Sequence, residues 1–323
     1  MFRAGTTTVP LQKCREEALM AQYHPGELAA QRRAGVVEQA EHSRLAIGAA
    51  LPPAAVQFLT EQPMIVIGAA DDDGRMWATL LTGPAGFISA PDQRTIDIEA
   101  RPVPGDPLAS VLVGPAEVGS IAIEPGTRRR MRLNGVSYPR PGGLRVRAEQ
   151  VYANCPKYIQ QRTPQRATDA PPPQPPLIGE VLTPSQQETV RRADTFFVAT
   201  RSAAGACDAS HRGGNPGFVQ VLSPNRLRWP DYVGNAMLMT LGNLQQDPAA
   251  GLLLVDWPSG TALHLTGTAE VDWDPAVRLP GAQRVVDFHV ERVVQIDHAS
   301  PFTWSAPKYS RFNPIIKLEA DQP

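Results

Sequence analysis

The stretch that decides the fold is Phe196–Asp256, FFVATRSAAGACDASHRGGNPGFVQVLSPNRLRWPDYVGNAMLMTLGNLQQDPAAGLLLVD. Its runs FFVAT, GFVQVL and GLLLVD read as strands. Between them lie a small-residue loop, Ser210-His211-Arg212-Gly213-Gly214-Asn215, and a helical run over Asn235–Gln246, preceded by Gly234 and ended by Asp247-Pro248. A glycine-rich loop with one fixed cation, facing a helix start, suits an anion.

Upstream, residues 1–23 read as loosely structured and Glu27–Ala50 as a helix, with a second short helix from Pro53 to Thr60. From Met64 the pattern changes to short strands, MIVIGAA, MWATLLT, GFISA, TIDIEA, VGSIAI, RRRMRLNG and LRVRAEQVY, with Gly, Pro and Asp between them. Such a chain predicts a mainly β protein, an antiparallel barrel or sandwich with flanking helices. The proline-rich run APPPQPP at Ala170–Pro176 excludes a regular helix or a central strand and marks a linker. The expected division is an N-terminal helical segment over 1–60, a first β domain over 61–162, the linker over 163–184, and a second β domain with a C-terminal tail over 185–323.

The two β domains are copies. Laying Met64–Asp97 on Thr195–Arg228 brings Gly74 onto Gly205, Gly83 onto Gly214 and Gly86-Phe87 onto Gly217-Phe218. Further on, Val118-Gly119-Ser120-Ile121 meets Ala250-Gly251-Leu252-Leu253, and Arg132-Leu133-Asn134-Gly135 meets His264-Leu265-Thr266-Gly267. Shared glycines mean shared backbone geometry. The polar residues differ, with Trp77, Thr79 and Thr82 standing where the second copy has Asp208, Ser210 and Gly213, so the expected site is asymmetric.

With 323 residues, 42% hydrophobic, each copy has enough apolar material for a core of its own. A formal net charge of −1 leaves no global field to draw the chain to nucleic acid or an anionic membrane. No run reaches the ~18 apolar residues of a membrane span. Three cysteines, Cys14, Cys155 and Cys207, at no metal-ligand spacing, point to neither a disulfide framework nor a zinc site, and fit a cytoplasmic location. The turn Asp71-Asp72-Asp73-Gly74 reads as a hairpin turn before a cation site. Paired catalytic carboxylates, a Ser/His/Asp order, a P-loop and a GxGxxG turn are absent or unconvincing, which sets aside hydrolase and kinase chemistry.

HPGELAAQRRAG (His24–Gly35), GRMWATLLTGPAGF (Gly74–Phe87), RRRMRLNG (Arg128–Gly135) and NCPKYIQ (Asn154–Gln160) resemble a subgroup of the pyridoxamine 5′-phosphate oxidase-like flavoproteins. In the second copy, the run from Ser210 through Gly217-Phe218 to Trp229-Pro230-Asp231, then Gly234-Asn235 and Leu241-Gly242-Asn243-Leu244, is similar to the same superfamily. The resemblance spans residues 24–310. It implies two tandem Greek-key split β-barrels of the FMN-binding type, with FMN held at an interface between barrels, within one chain or across a homodimer. It implies an oxidoreductase passing hydride or electrons between flavin and a nicotinamide nucleotide, NAD(P)H, or a small organic substrate. A flavin carrier without turnover, or a related barrel using deazaflavin or haem, stands as the alternative, with His211, His264 and His298 as haem-ligand candidates that no spacing supports. The segment ASPFTWSAPKYSRFNP (Ala299–Pro314) does not match the substrate-binding C-terminus of true pyridoxamine phosphate oxidases, so vitamin B6 activity is not carried over.

Candidate cofactor residues come from both copies. Arg212 offers planar, bidentate hydrogen bonding to phosphate, against the plainer use of a solvated turn arginine. Ser210 adds a hydroxyl and Gly213 a closely approaching N–H, against simple turn chemistry. Asn235 and Asn243 flank the expected helix as caps or phosphate ligands, with Thr240 between them. Strand alternation puts Arg128, Arg130 and Arg132 on one face with Asn134 beside them, a cationic stripe or a solvated surface. Lys157, in NCPKYIQ, stands at the end of the first copy's last strand, where it meets phosphate or the flavin edge, or merely solvent. A flavin carries the redox chemistry itself, so no catalytic side chain is named.

Overall fold

The computed structural model describes residues 22–276 and 278–315. Residues 1–21 of the stretch read as loose, Cys14 included, lie outside the described residues. The chain opens with α1 (Pro25–Ala34), α2 (Val37–Arg44) and α3 (Pro53–Glu61). The single helix expected over Glu27–Ala50 is two helices, because Gly35 takes a left-handed conformation (φ 66°) and closes α1 with its N–H on the Arg32 and Gln31 carbonyls.

The first barrel holds β1 (Met64–Ala70), β2 (Met76–Thr82), β3 (Ile88–Asp92), β4 (Thr95–Ile98), β5 (Ala116–Glu124), β6 (Arg129–Arg140) and β7 (Gly143–Ala153). Its strand order is β2-β1-β5-β6-β7-β4-β3, antiparallel throughout. The linker then contributes two edge strands, β8 (Pro164–Arg166) and β9 (Leu177–Gly179), on either side of APPPQPP, where a missing N–H costs nothing. After α4 (Pro184–Arg192) come β10 (Thr195–Arg201), β11 (Cys207–Gly213), β12 (Gln220–Ser223), β13 (Arg226–Tyr232), α5 (Met239–Leu244), β14 (Ala249–Asp256), β15 (Thr261–Asp272) and β16 (Ala282–Ile296), then β17 (Phe302–Trp304), paired with β8. The second sheet runs β11-β10-β14-β15-β16-β13-β12, with β9 on β16.

Position for position this is the order of the first sheet, so the fold is two tandem split β-barrels. Even the irregularities repeat. Both long central strands shift register at the same place, between Asn134 and Gly135 in β6 and between Thr266 and Gly267 in β15.

The apolar runs that lack alternation have a tertiary explanation. Every residue of MIVIGA in β1 and of TFFVAT in β10 is buried. One face of each strand meets its own barrel and the other meets the opposite barrel. Phe197, Ala199, Cys207, Ala209 and Leu253 from the second copy belong to the same buried cluster as Ile65, Ile67, Trp77 and Ile121 from the first. Each such side chain contributes about 1.5–3 kcal/mol by leaving water. Glycine permits the close approach: Gly251 of β14 lies against β2, where an added Cβ would stand 2.6 Å from the Trp77 Cα, and its counterpart Gly119 lies likewise against Asp208 of β11. Among the described residues no helix is long and apolar enough to cross a membrane.

Candidate functional site

The site forms where β6 of the first barrel faces β11 of the second. Alternation on β6 directs Arg130, Arg132 and Asn134 to one face, while Asp208, Ser210 and Arg212 share a face of β11. The Ser210–Gly213 segment is therefore strand, a correction to its reading as a loop. The loop begins at Gly214. Arg128, expected on the same face, instead sits at the turn before β6 with φ 58° and donates to the Ile159 carbonyl at 2.9 Å.

Arg132 is ion-paired with Asp208, and Asp208 Oδ1 also accepts from Asn134 Nδ2 at 3.3 Å and from the Tyr152 hydroxyl at 3.4 Å. Arg130 donates to His211 Nδ1 at 3.0 Å. Arg212 donates to Ser210 Oγ and the His211 carbonyl, both at 3.1 Å. Among the described residues no carboxylate lies within ion-pair distance of Arg130 or Arg212. Burial, followed by the neighbouring cations, drives His211 well below the usual imidazole range, so it stays neutral. Since a guanidinium only donates, His211 Nδ1 is the acceptor and the ring proton sits on Nε2. Burial also brings Arg130 down to about 10 and pulls Arg132 and Arg212 down. The Nε atoms of Arg130 and Arg132 and Nε2 of His211 are buried without a hydrogen-bond partner.

The opposite wall is the segment between β13 and α5. The helix expected over Asn235–Gln246 is confined to Met239–Leu244, because Ala236 and Leu238 take left-handed backbone conformations at φ 62° and 56°. Tertiary contacts hold this wall against its helical propensity: Gln31 of α1 donates to the Met237 carbonyl at 2.9 Å and Ser43 of α2 donates to that of Asn235 at 2.5 Å. Asn235 is thus no helix cap. Its Oδ1 accepts from the Met237 N–H at 3.2 Å.

Together these walls enclose a cleft of about 850 Å³, counting its solvent-filled mouth, lined by Arg130, Arg132, Ser210, Arg212, Gly213, Asn235 and Thr240 among the expected residues. Gly213 lines the cleft, and the space a side chain would need there is taken by the Tyr158 carbonyl, a reason for glycine that stands beside the expected N–H contact. Asn134 and Asn243 line a neighbouring hollow, where Asn243, inside α5 rather than flanking it, donates to Thr200 Oγ1 at 3.0 Å. Lys157 lines neither and stands over the Phe312 ring at 5.6 Å. Residues not selected from sequence as flavin contacts include Asp208, Asn154, Cys155 and Tyr158, and His211 was read there as a haem-ligand candidate. Asp208 differed between the copies, which was the signal available for it.

The pseudo-equivalent position in the other direction holds Asp106 and His264. Asp106 accepts from Thr79 and from the Leu108 N–H and lies 3.7 Å from His264 Nε2, while His264 Nδ1 meets the Ala78 carbonyl at 2.8 Å. His211, His264 and His298 form no common ligand set, and no group of three His, Cys, Asp or Glu among the described residues could hold a metal ion.

Residues 182–299 match the family model described as Pyridoxamine 5′-phosphate oxidase. The second barrel is a pyridoxamine 5′-phosphate oxidase-type barrel. This match covers Ser210, Arg212, Gly213, Asn235, Thr240 and Asn243, while the first barrel's likeness to it rests on the shared strand order and the repeat. No curated protein matches the chain. Solved structures similar to single barrels include HupZ from Group A Streptococcus (16% identity over 35% of this chain and 92% of that one, TM-score 0.30). A Clostridium acetobutylicum protein related to general stress protein 26 is 16% identical over 38% of this chain and 91% of its own, with a TM-score of 0.28. HutZ, the haem storage protein of Vibrio cholerae, is 14% identical over 36% and 95%, with a TM-score of 0.25.

Proposed function

We propose that the cleft between the pyridoxamine 5′-phosphate oxidase-type barrel and its tandem copy binds FMN, and that the protein is a flavin-dependent oxidoreductase acting with a nicotinamide nucleotide or a small organic substrate. The observation that carries this reading is the pair Arg130 and Arg212, two half-buried guanidinium groups in the cleft, with no carboxylate among the described residues within ion-pair distance of either. Asp231, which acts on Arg212 from farther off, is already paired with Arg284. Holding uncompensated charge out of water costs several kcal/mol per ion. A phosphate monoester brings about −1.5 to −2 charges at neutral pH and three acceptor oxygens, which suits this donor set.

Arg130 and Arg212 would hold the phosphate, with Ser210 Oγ and the Arg132 Nε beside them. Asn235 and Thr240 would close the cleft from the opposite wall. A bound flavin supplies the capacity to accept and release electrons. The chain's own contribution is to fix that group, to keep His211 neutral and to limit solvent access through the Gly234–Leu238 wall. Both barrels of one chain contribute, so in this reading the second barrel takes the place of a partner subunit.

The test is titration of the protein with FMN and with riboflavin, followed by flavin fluorescence or absorbance. FMN should bind at least about tenfold more tightly than riboflavin, the worth of one charge-assisted phosphate contact, and Arg212→Ala should remove most of that difference. Equal binding of the two flavins, or no binding of either, would sink the reading. FMN binding with no turnover of NAD(P)H and an acceptor would make the protein a carrier instead.

A further inference from the structure

Met239 separates the cationic cleft from a second hollow of about 890 Å³, counting its mouth. The two differ in the balance of what they leave unanswered: donors predominate in the cleft beside one acceptor, Asn154 Oδ1, and acceptors predominate in the hollow beside one ring nitrogen, His24 Nε2. On the cleft side the buried atoms without partners include the Nε donors of Arg130 and Arg132. On the far side they include three acceptors, Glu27 Oε1, Asp208 Oδ2 and Asn134 Oδ1, on side chains that are 1%, 1% and 6% exposed. All three residues line the hollow, and Glu117 and Glu149 stand at its solvent side. Each carboxylate has one oxygen engaged: Glu27 Oε2 accepts the His24 N–H at 2.9 Å, and Asp208 Oδ1 is taken by Arg132, Asn134 and Tyr152. The second oxygen of each therefore faces a demand for donors that the described chain does not meet, and buried polar atoms rarely go unmet.

We propose that this hollow is a second binding site, for a small organic cation of the ammonium or amidinium class, whose N–H groups meet Glu27, Asp208 and Asn134 while Glu117 and Glu149 screen its charge at the mouth. A planar amidinium presents paired N–H donors to carboxylate oxygens, and above about pH 7, where Glu27 has released its proton, four carboxylates beside the Arg132 guanidinium leave the hollow electronegative. The site stands on its own atoms and does not depend on what the cationic cleft binds. Side by side, the two would let the protein hold an anionic group and a cationic one on either side of Met239.

Calorimetric titration of the flavin-free, full-length protein, at a pH well above the value of about 7 through which Glu27 ionises, with benzamidine and in parallel with its neutral isostere benzamide, tests this. Saturable benzamidine binding, at least about tenfold tighter than benzamide, is expected. Glu27→Gln should weaken it by about tenfold or more. The double variant Glu117→Gln/Glu149→Gln, at exposed positions that carry no fold, should weaken it by a smaller factor that vanishes at high salt. Indistinguishable binding of benzamidine and benzamide, or benzamidine binding unchanged in both variants, would overturn the proposal, as would the absence of saturable benzamidine binding. Since flavin is left out, none of these results bears on the FMN reading.

Discussion

Gly68 and Ala199 face each other where the two barrels cross, and a Cβ added to Gly68 would stand 2.6 Å from that of Ala199. They occupy the same place in the repeat, the fifth residue of β1 and of β10. A single methyl group fills the contact, supplied by one copy and omitted by the other. Gly68→Ala should therefore overpack the interface and lower stability by about 1–3 kcal/mol. The exchange Gly68→Ala/Ala199→Gly should recover most of that loss in a denaturant melt, and failure to recover would show that the two positions do not share one space.

Arg130 tests whether function is held at the expense of stability. Its guanidinium is buried beside Arg132 and Arg212 and finds only His211 and, at 4.0 Å, Cys155. Arg130→Met keeps the stem and removes the uncompensated charge. Thermal melts without ligand should show stability unchanged or raised, while FMN affinity falls at least about tenfold. A large drop in ligand-free stability with FMN affinity intact would make Arg130 a structural residue.

Asp208 is the counter-example, a buried charge that is answered. Asp208→Ala leaves Arg132 unpaired among other cations and strips an acceptor from Asn134 and Tyr152. Removing one partner of a buried pair costs about 3–5 kcal/mol, so this variant should be among the least stable single substitutions in the chain. A loss below about 1 kcal/mol by chemical denaturation would mean that water reaches the pair.

Glu27 predicts a pH dependence. Burial raises its carboxyl from the ordinary 4.5 to about 7, with the His24 N–H and Arg132 acting against the shift. The fold thus retains a proton that the unfolded chain releases. The stabilising contribution is complete below about pH 4.5 and is lost as the pH rises through about 7. Glu27→Gln keeps an acceptor for the His24 N–H and removes the titration. Relative to this variant, the wild type should lose about 2–3 kcal/mol across that window. Parallel stability profiles for the two proteins would contradict the shift.

What the sequence determined by itself is what short-range chemistry carries. Apolar runs of strand length bounded by Gly, Pro and Asp located the seven strands of the first barrel and three of the second, and the ordered coincidence of glycines revealed two copies before any coordinates. Those glycines recur because backbone geometry recurs, at hairpin turns and where strands of the two barrels touch. Arg130 and Arg132 were legible because alternation along a strand puts second neighbours on one face, whereas Ser210 and Arg212 were picked out as polar residues of a glycine-rich loop that proved to be strand.

Only the tertiary structure decided the rest. It kept Asn235–Leu238 out of a helix, because Gln31 and Ser43, some 200 residues away in the chain, hold its carbonyls. It placed Lys157 over the Phe312 ring, outside the residues that line the cleft, and set the Tyr158 carbonyl against Gly213. It opened one inter-barrel cleft and, at the pseudo-equivalent position, set Asp106 against Thr79 and His264 instead. Whether a charged side chain is paired or left over depends on groups brought together from distant parts of the chain. A local pattern cannot carry that information, because burial and pairing are properties of the assembled volume.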